Sequence, residues 1–137
     1  MTDYKSPLVG QEVSCVMKGI KSHVLNDADM LKEFIVNVLN KENFHVEDFV
    51  LNKFPVQGFT FFALLSESHL AVHTYPEHNA FYMNMYSCRG PKDVEKTFDM
   101  IKKKLNPKEV IFFKKDEIPL DKPLLMNYLR SSRISSG

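Results

Sequence analysis

The chain predicts an α+β fold, a two-layer sandwich with an antiparallel sheet and helices on one face. Three features carry this: apolar alternation at period two joined by short connections, two segments of helical period, and no internal repeat across 137 residues. Val13, Cys15 and Met17 alternate as in a strand. Asn26 and Asp27 are candidate caps for a helix from Asp27 to Lys41, whose Met30, Leu31, Phe34, Ile35 and Val38 follow helical spacing. Phe44 to Lys53 and Phe59 to Leu65 read as strands, with Pro55 and Gly58 punctuating the link. Two further strands, His69 to Tyr75 and Ala80 to Cys88, flank the turn Pro76-Glu77-His78-Asn79. Pro91 opens a second helix with Val94, Phe98, Ile101 and Leu105 on one face, and Val110 to Phe113 forms a last strand. The two-proline, Ser/Arg-rich segment 116–137 reads as a peripheral tail.

Composition narrows the function. Hydrophobic content of 44% and a net charge of +1 describe one domain, residues 1–137, with enough apolar material for a core. That charge leaves no electrostatic footprint for nucleic acid, and Lys102-Lys103-Lys104 reads as a solvated helical face. Two cysteines make no disulfide framework, and no apolar run resembles a signal peptide or membrane span, so a cytoplasmic protein is expected. His69, His73, His78 and Cys88 do not form a metal site, because residues four apart converge only on a helix and this stretch reads as strand.

The chemistry concentrates in Leu65-Ser66-Glu67-Ser68-His69-Leu70-Ala71-Val72-His73-Thr74-Tyr75-Pro76-Glu77, followed by Cys88. A hydroxyl held against the preceding carbonyl can attack it, replacing the amide by an ester; elimination and hydrolysis then leave an α-keto acyl terminus. Such a carbonyl condenses with an amine as a Schiff base and acts as an electron sink for decarboxylation. A nearby weak acid must return a proton, and a cysteine with a suitable environment can do so.

The spaced elements, Ser66-Glu67-Ser68-His69-Leu70, His73 to Glu77, and Cys88 twenty residues beyond Ser68, resemble the self-processing site of prokaryotic-type S-adenosylmethionine decarboxylase proenzymes. The resemblance covers roughly Phe54 to Phe113. It implies cleavage between Glu67 and Ser68 into 1–67 (β chain) and 68–137 (α chain), with Ser68 becoming a pyruvoyl group. It further implies that Thr60 and His73 assist processing, Cys88 is the proton donor, and active sites lie at a homodimer interface. On the substrate side it implies that Phe54 stacks on adenine, Glu77 accepts from the ribose hydroxyls, and Tyr75 holds the neighbouring aromatic position. Thr60 stands where the family has serine, Tyr75 where it has tryptophan, and His78-Asn79 where an aromatic-Gly pair is usual. Other readings are a pyruvoyl-dependent ornithine or arginine decarboxylase, or an inactive paralogue that activates a partner subunit.

Strand arithmetic adds geometry. If the turn Pro76 to Asn79 pairs Tyr75 with Ala80, every paired sum is 155, and Cys88 faces Glu67 about 5 Å away. Parity places Glu67, His69, His73 and Cys88 on one side of the sheet. An extended strand holds His73 roughly 17 Å from Ser68, so either the strand is sharply bent or His73 serves the serine of another subunit. A Ser66 to Ser68 turn sets Thr60 beside Thr74, next to His73.

Overall fold

The computed structural model describes residues 9–121, 123, 126, 127, 129 and 130. Six strands form one sheet in the order β2-β3-β4-β5-β1-β6, with β1 Val9–Lys18, β2 Val46–Lys53, β3 Phe59–Leu65, β4 Ser68–Tyr75, β5 Ala80–Ser87 and β6 Glu109–Pro119. Every neighbouring pair is antiparallel. A short α1 (Ser22–Leu25), α2 (Ala28–Lys41) and α3 (Glu95–Leu105) accompany the sheet, with a 3₁₀ turn at Pro76–His78.

Burial alternates residue by residue along β1, β3, β4 and β5, so one sheet face is sealed and the other is part open. The sealed face presents Cys15, Met17, Phe59, Phe61, Leu70, Val72, Phe81 and Met83 to Leu31, Ile35 and Leu39 of α2 and to Phe98, Ile101 and Leu105 of α3. This is the predicted two-layer arrangement. Asp27 caps α2 by accepting from the Met30 amide at 3.2 Å, as its sequence position indicates. Asn106 ends α3 in the left-handed region, φ 48°.

Three boundaries differ from expectation. The second helix begins at Glu95 rather than Pro91, because Pro91 to Val94 form a turn containing Lys92 at φ 62°. Its cap is served from a distant strand: Gln11 of β1 accepts from the Val94 N–H at 2.9 Å and donates to the Glu95 carboxylate at 3.3 Å. The last strand is longer than Val110 to Phe113, since residues up to Pro119 pair with β1 past a bulge at Ser14/Cys15. Residues 116–119 therefore belong to the sheet and not to a tail. The second strand starts at Val46, after Phe44 has closed the end of α2 through its amide on the Leu39 carbonyl, 2.9 Å.

Candidate active site

Register positions the candidate residues. The β4–β5 ladder runs without a bulge from Tyr75↔Ala80 to Ser68↔Ser87, so the sum of 155 holds throughout. Cys88 then follows opposite Glu67, and its Sγ donates to the Glu67 carbonyl oxygen at 3.0 Å. That carbonyl belongs to the Glu67-Ser68 peptide bond, and the thiol hydrogen bond withdraws electron density from its carbon. The two cysteines differ sharply: Cys15 lies in the core, where burial pushes its thiol up to about 11, whereas Cys88 is only partly buried.

Ser68 is the first residue of β4 and only 7% exposed, and its Oγ has no hydrogen-bond partner. A buried hydroxyl normally has one, so Ser68 contributes no side-chain hydrogen bond to the fold described. Its side chain lies on the sealed face. Ser66 and Glu67 form the tight connection before it, with Ser66 Oγ donating to Glu47 at 2.7 Å.

The β3–β4 register is Thr60↔His73, one residue from the expected Thr60 and Thr74 pairing. The connection contains two residues rather than three because Ser68 already belongs to the strand. This slip matters, since a shift of one residue exchanges sheet faces. It puts Thr60 and His73 on the same open face, where Thr60 Oγ1 and His73 Nδ1 share a 2.9 Å hydrogen bond. The His73 ring also leans on Tyr82 of β5, with centroids 5.8 Å apart. No bend shortens β4, so His73 is roughly 17 Å along the strand from Ser68 and, by parity, on the opposite face.

Phe54, Tyr75 and Glu77 gather at that same remote end. Phe54 packs against Gly58, which also sits against Pro76 and the Thr74 carbonyl; its amide donates to the Gly58 carbonyl at 2.9 Å. Glu77 lies exposed on the 3₁₀ turn. This turn is clamped: Lys18 Nζ donates to the His78 carbonyl at 2.8 Å, and Asn79 Nδ2 to the Ile20 carbonyl at 2.9 Å. Asn79 adopts φ 51°, a conformation that tolerates Asn better than most residues and explains its place in the turn. Thus the candidate residues fall into two groups, Ser68 with Cys88 at one end of β4 and Thr60, His73, Phe54, Tyr75 and Glu77 toward the other.

Several polar residues around the cleavage loop were not legible as site residues. Arg89 bonds Asp93 at 2.9 and 3.1 Å, holds the carbonyls of Asn43 and Glu42 at 2.9 and 3.0 Å, and covers the Phe44 ring. Its Nε is also 3.9 Å from the Glu67 carboxylate. Ser87 donates to Asp93. On the open face, His69 is stacked near Phe62 and Tyr86 and bonds Asn84 Oδ1 at 2.6 Å. Asn84 in turn donates to Glu12 at 3.1 Å, and Lys114 pairs with Glu12 at 3.0 Å. Burial pushes the Glu12 carboxyl up, but the hydrogen bonds from Lys114 and Asn84 outweigh it and leave the group lowered. Burial, then the neighbouring Cys88 and Glu12, raises the Tyr86 hydroxyl. The sequence signal for the Arg89 cluster is slight, since beyond the i,i+4 spacing to Asp93 its backbone partners lie more than forty residues upstream. A groove of about 580 Å³ between α2 and α3, lined in part by Phe34, Val38 and Met100, contains none of the candidate residues.

Comparison with known proteins gives the family and the fold. Residues 11–116 match the family described as S-adenosylmethionine decarboxylase. An S-adenosylmethionine decarboxylase proenzyme of Pyrobaculum arsenaticum is 32% identical over 107 residues, 77% of this chain and 86% of the relative. An arginine decarboxylase proenzyme of the same organism is 28% identical over 110 residues, 78% of this chain and 83% of the relative. The crystal structure of the adenosylmethionine decarboxylase from Aquifex aeolicus superposes with a TM-score of 0.76 at 22% identity, covering 87% of this chain and 96% of that one, a likeness of fold. Matched over most of its length and carrying the Glu67-Ser68 bond against a cysteine thiol, the chain belongs to the S-adenosylmethionine decarboxylase family of carboxy-lyases.

Proposed function

We propose that this chain is a proenzyme that cuts its own Glu67-Ser68 bond, converts Ser68 to a pyruvoyl terminus and then decarboxylates S-adenosylmethionine. The product is the aminopropyl donor for spermidine synthesis. The observation that carries the reading is Ser68 Oγ, buried and unpartnered beside a carbonyl already polarised by Cys88. These residues fit the group. A pyruvoyl carbonyl at position 68 supplies the electron sink for loss of carbon dioxide from an α-amino acid. Cys88 holds a proton at Sγ near that position and delivers it to the carbon that has lost its carboxylate. Phe54 offers an aromatic face and Glu77 a carboxylate, suited to adenine and to ribose hydroxyls; Tyr75 lines the same end.

The active unit is a homodimer. Support comes from the strand length between the two groups of candidate residues and from the open sheet face, where Val50, Phe62, Leu64 and Ile111 are exposed. A second copy packed in the reverse sense sets Thr60, His73, Phe54 and Glu77 of one protomer against Ser68 and Cys88 of its partner. Both cysteines are free, in keeping with a reducing cytoplasm. Among the described residues no helix is long and apolar enough to cross a membrane.

A second reading, decarboxylation of arginine or another basic amino acid, is favoured by relatives named arginine decarboxylase proenzyme in Pyrobaculum arsenaticum and Caldivirga maquilingensis. Carbon dioxide release by processed protein is compared across S-adenosylmethionine, ornithine, arginine and lysine. The proposal expects turnover of the sulfonium substrate alone and a raised KM for it in Glu77→Gln. Preference for a free basic amino acid, unaffected by Glu77→Gln, overturns the nucleoside assignment.

A further inference from the structure

Self-cleavage needs a group that receives the Ser68 proton, and Thr60 and His73 of the same chain are on the wrong face and at the wrong end of β4. In the homodimer proposed above, a partner's His73 would reach this end from the open face. Ser68 Oγ points the other way, into the sealed layer. The residue directly opposite it there is Ser87, fully buried in β5 and in register with Ser68. Paired residues have Cβ atoms about 4.5–5.5 Å apart, within reach of a bond between two hydroxyls after a change of rotamer.

Ser87 has a fixed hydrogen-bonding polarity. Its hydroxyl donates to Asp93, and its oxygen accepts the Arg89 N–H at 3.4 Å. A serine hydroxyl has one donor and two acceptor positions, so only one acceptor position remains. Asp93 cannot swing away, because both carboxylate oxygens are held by Arg89. Arg89 is itself fixed by two backbone carbonyls and lies beside the Glu67 carboxylate.

We propose that Ser87 is the catalytic acceptor of the Ser68 proton in self-processing and that Asp93 is the positioning residue that fixes Ser87 in that polarity. This rests on the self-cleavage reading above. With its hydrogen directed at Ser87, Ser68 Oγ turns a lone pair toward the Glu67 carbonyl carbon. As the Oγ–C bond forms, the Ser68 proton passes to Ser87 and the Ser87 proton to Asp93. The C–N bond then breaks, and the proton returns to the Ser68 nitrogen. The products are an ester and a free amine with no net gain or loss of protons.

The test is the first-order rate of self-cleavage in freshly made full-length precursor, followed by denaturing electrophoresis, for wild type, Asp93→Asn, Ser87→Ala and Ser87→Thr. Thermal melting of Asp93→Asn and Ser87→Ala in a Ser68→Ala background reports folding separately. The proposal predicts cleavage slowed roughly tenfold or more in folded Ser87→Ala and Asp93→Asn, with the rate largely restored in Ser87→Thr, which keeps a hydroxyl. Hydroxylamine, which cuts an ester once formed, should not restore the rate in the slow variants. Either variant cleaving within twofold of wild type, or rescue by hydroxylamine, overturns the assignment. A wild-type chain that never cleaves overturns the self-cleavage reading and this inference together.

Discussion

Replacing Gly58 by alanine tests whether the Phe54 end of the sheet is built as described. Gly58 has φ +86°, and a Cβ there would lie 2.7 Å from the Thr74 carbonyl oxygen, 3.0 Å from Phe54 Cδ2 and 3.2 Å from Pro76 Cδ. The left-handed backbone alone costs a non-glycine residue about 1–2 kcal/mol. The contact with Thr74 is with backbone inside a continuous strand pair, which cannot rotate aside, and overpacking of this kind adds about 1–3 kcal/mol. A net loss of about 2–5 kcal/mol corresponds to a fall in Tm of roughly 10 °C or more for a domain of this size. Thermal unfolding in a Ser68→Ala background keeps the chain intact and so measures a single species. Displacement of the Phe54 ring should also raise KM in the processed enzyme up to about tenfold, the range of one aromatic contact. A Tm within a degree or two of the parent would refute the account of this corner, and an unchanged KM would remove Phe54 from the substrate surface.

Cys88→Ala should cleave at least in part, yet lose turnover by roughly a hundredfold, because the decarboxylated carbon lacks its proton donor; transaminated product should accumulate. Product analysis checks this, and unchanged turnover of fully processed Cys88→Ala would contradict the role. Ser68→Ala and His73→Ala subunits, mixed before folding, should restore one complete site per heterodimer. Verified heterodimers without activity would return His73 to its own chain.

Much of the sheet is legible because the determinants are local. The turn from Pro76 to Asn79 sets the β4–β5 register, and with it the approach of Cys88 to Glu67. The β3–β4 register is harder to read, since Ser66, Glu67 and Ser68 serve equally well as loop residues in sequence. The structure assigns Ser68 to the strand, and this one position decides that Thr60 meets His73 rather than Thr74. The start of α3 is hidden for a different reason. Pro91 is a valid first helical residue, but the Val94 amide at the N-cap of the helix is satisfied by Gln11, more than eighty residues earlier. Ser87, Arg89 and Asp93 are neighbours in sequence, but the anchoring of Arg89 on the end of α2 is non-local, and no spacing rule joins it to Glu42 and Asn43. Candidate residues in the contiguous motif are therefore readable, whereas the side chains that hold them in place emerge only from packing.

The central claim is the chemical fate of the Glu67-Ser68 bond, and intact mass spectrometry of the purified wild-type chain measures it most directly. The account predicts two fragments, 1–67 and 68–137, the second beginning with a pyruvoyl group in place of serine, and a single uncut chain for Ser68→Ala. A wild-type protein that stays one chain, with an ordinary serine amide at position 68, would contradict it.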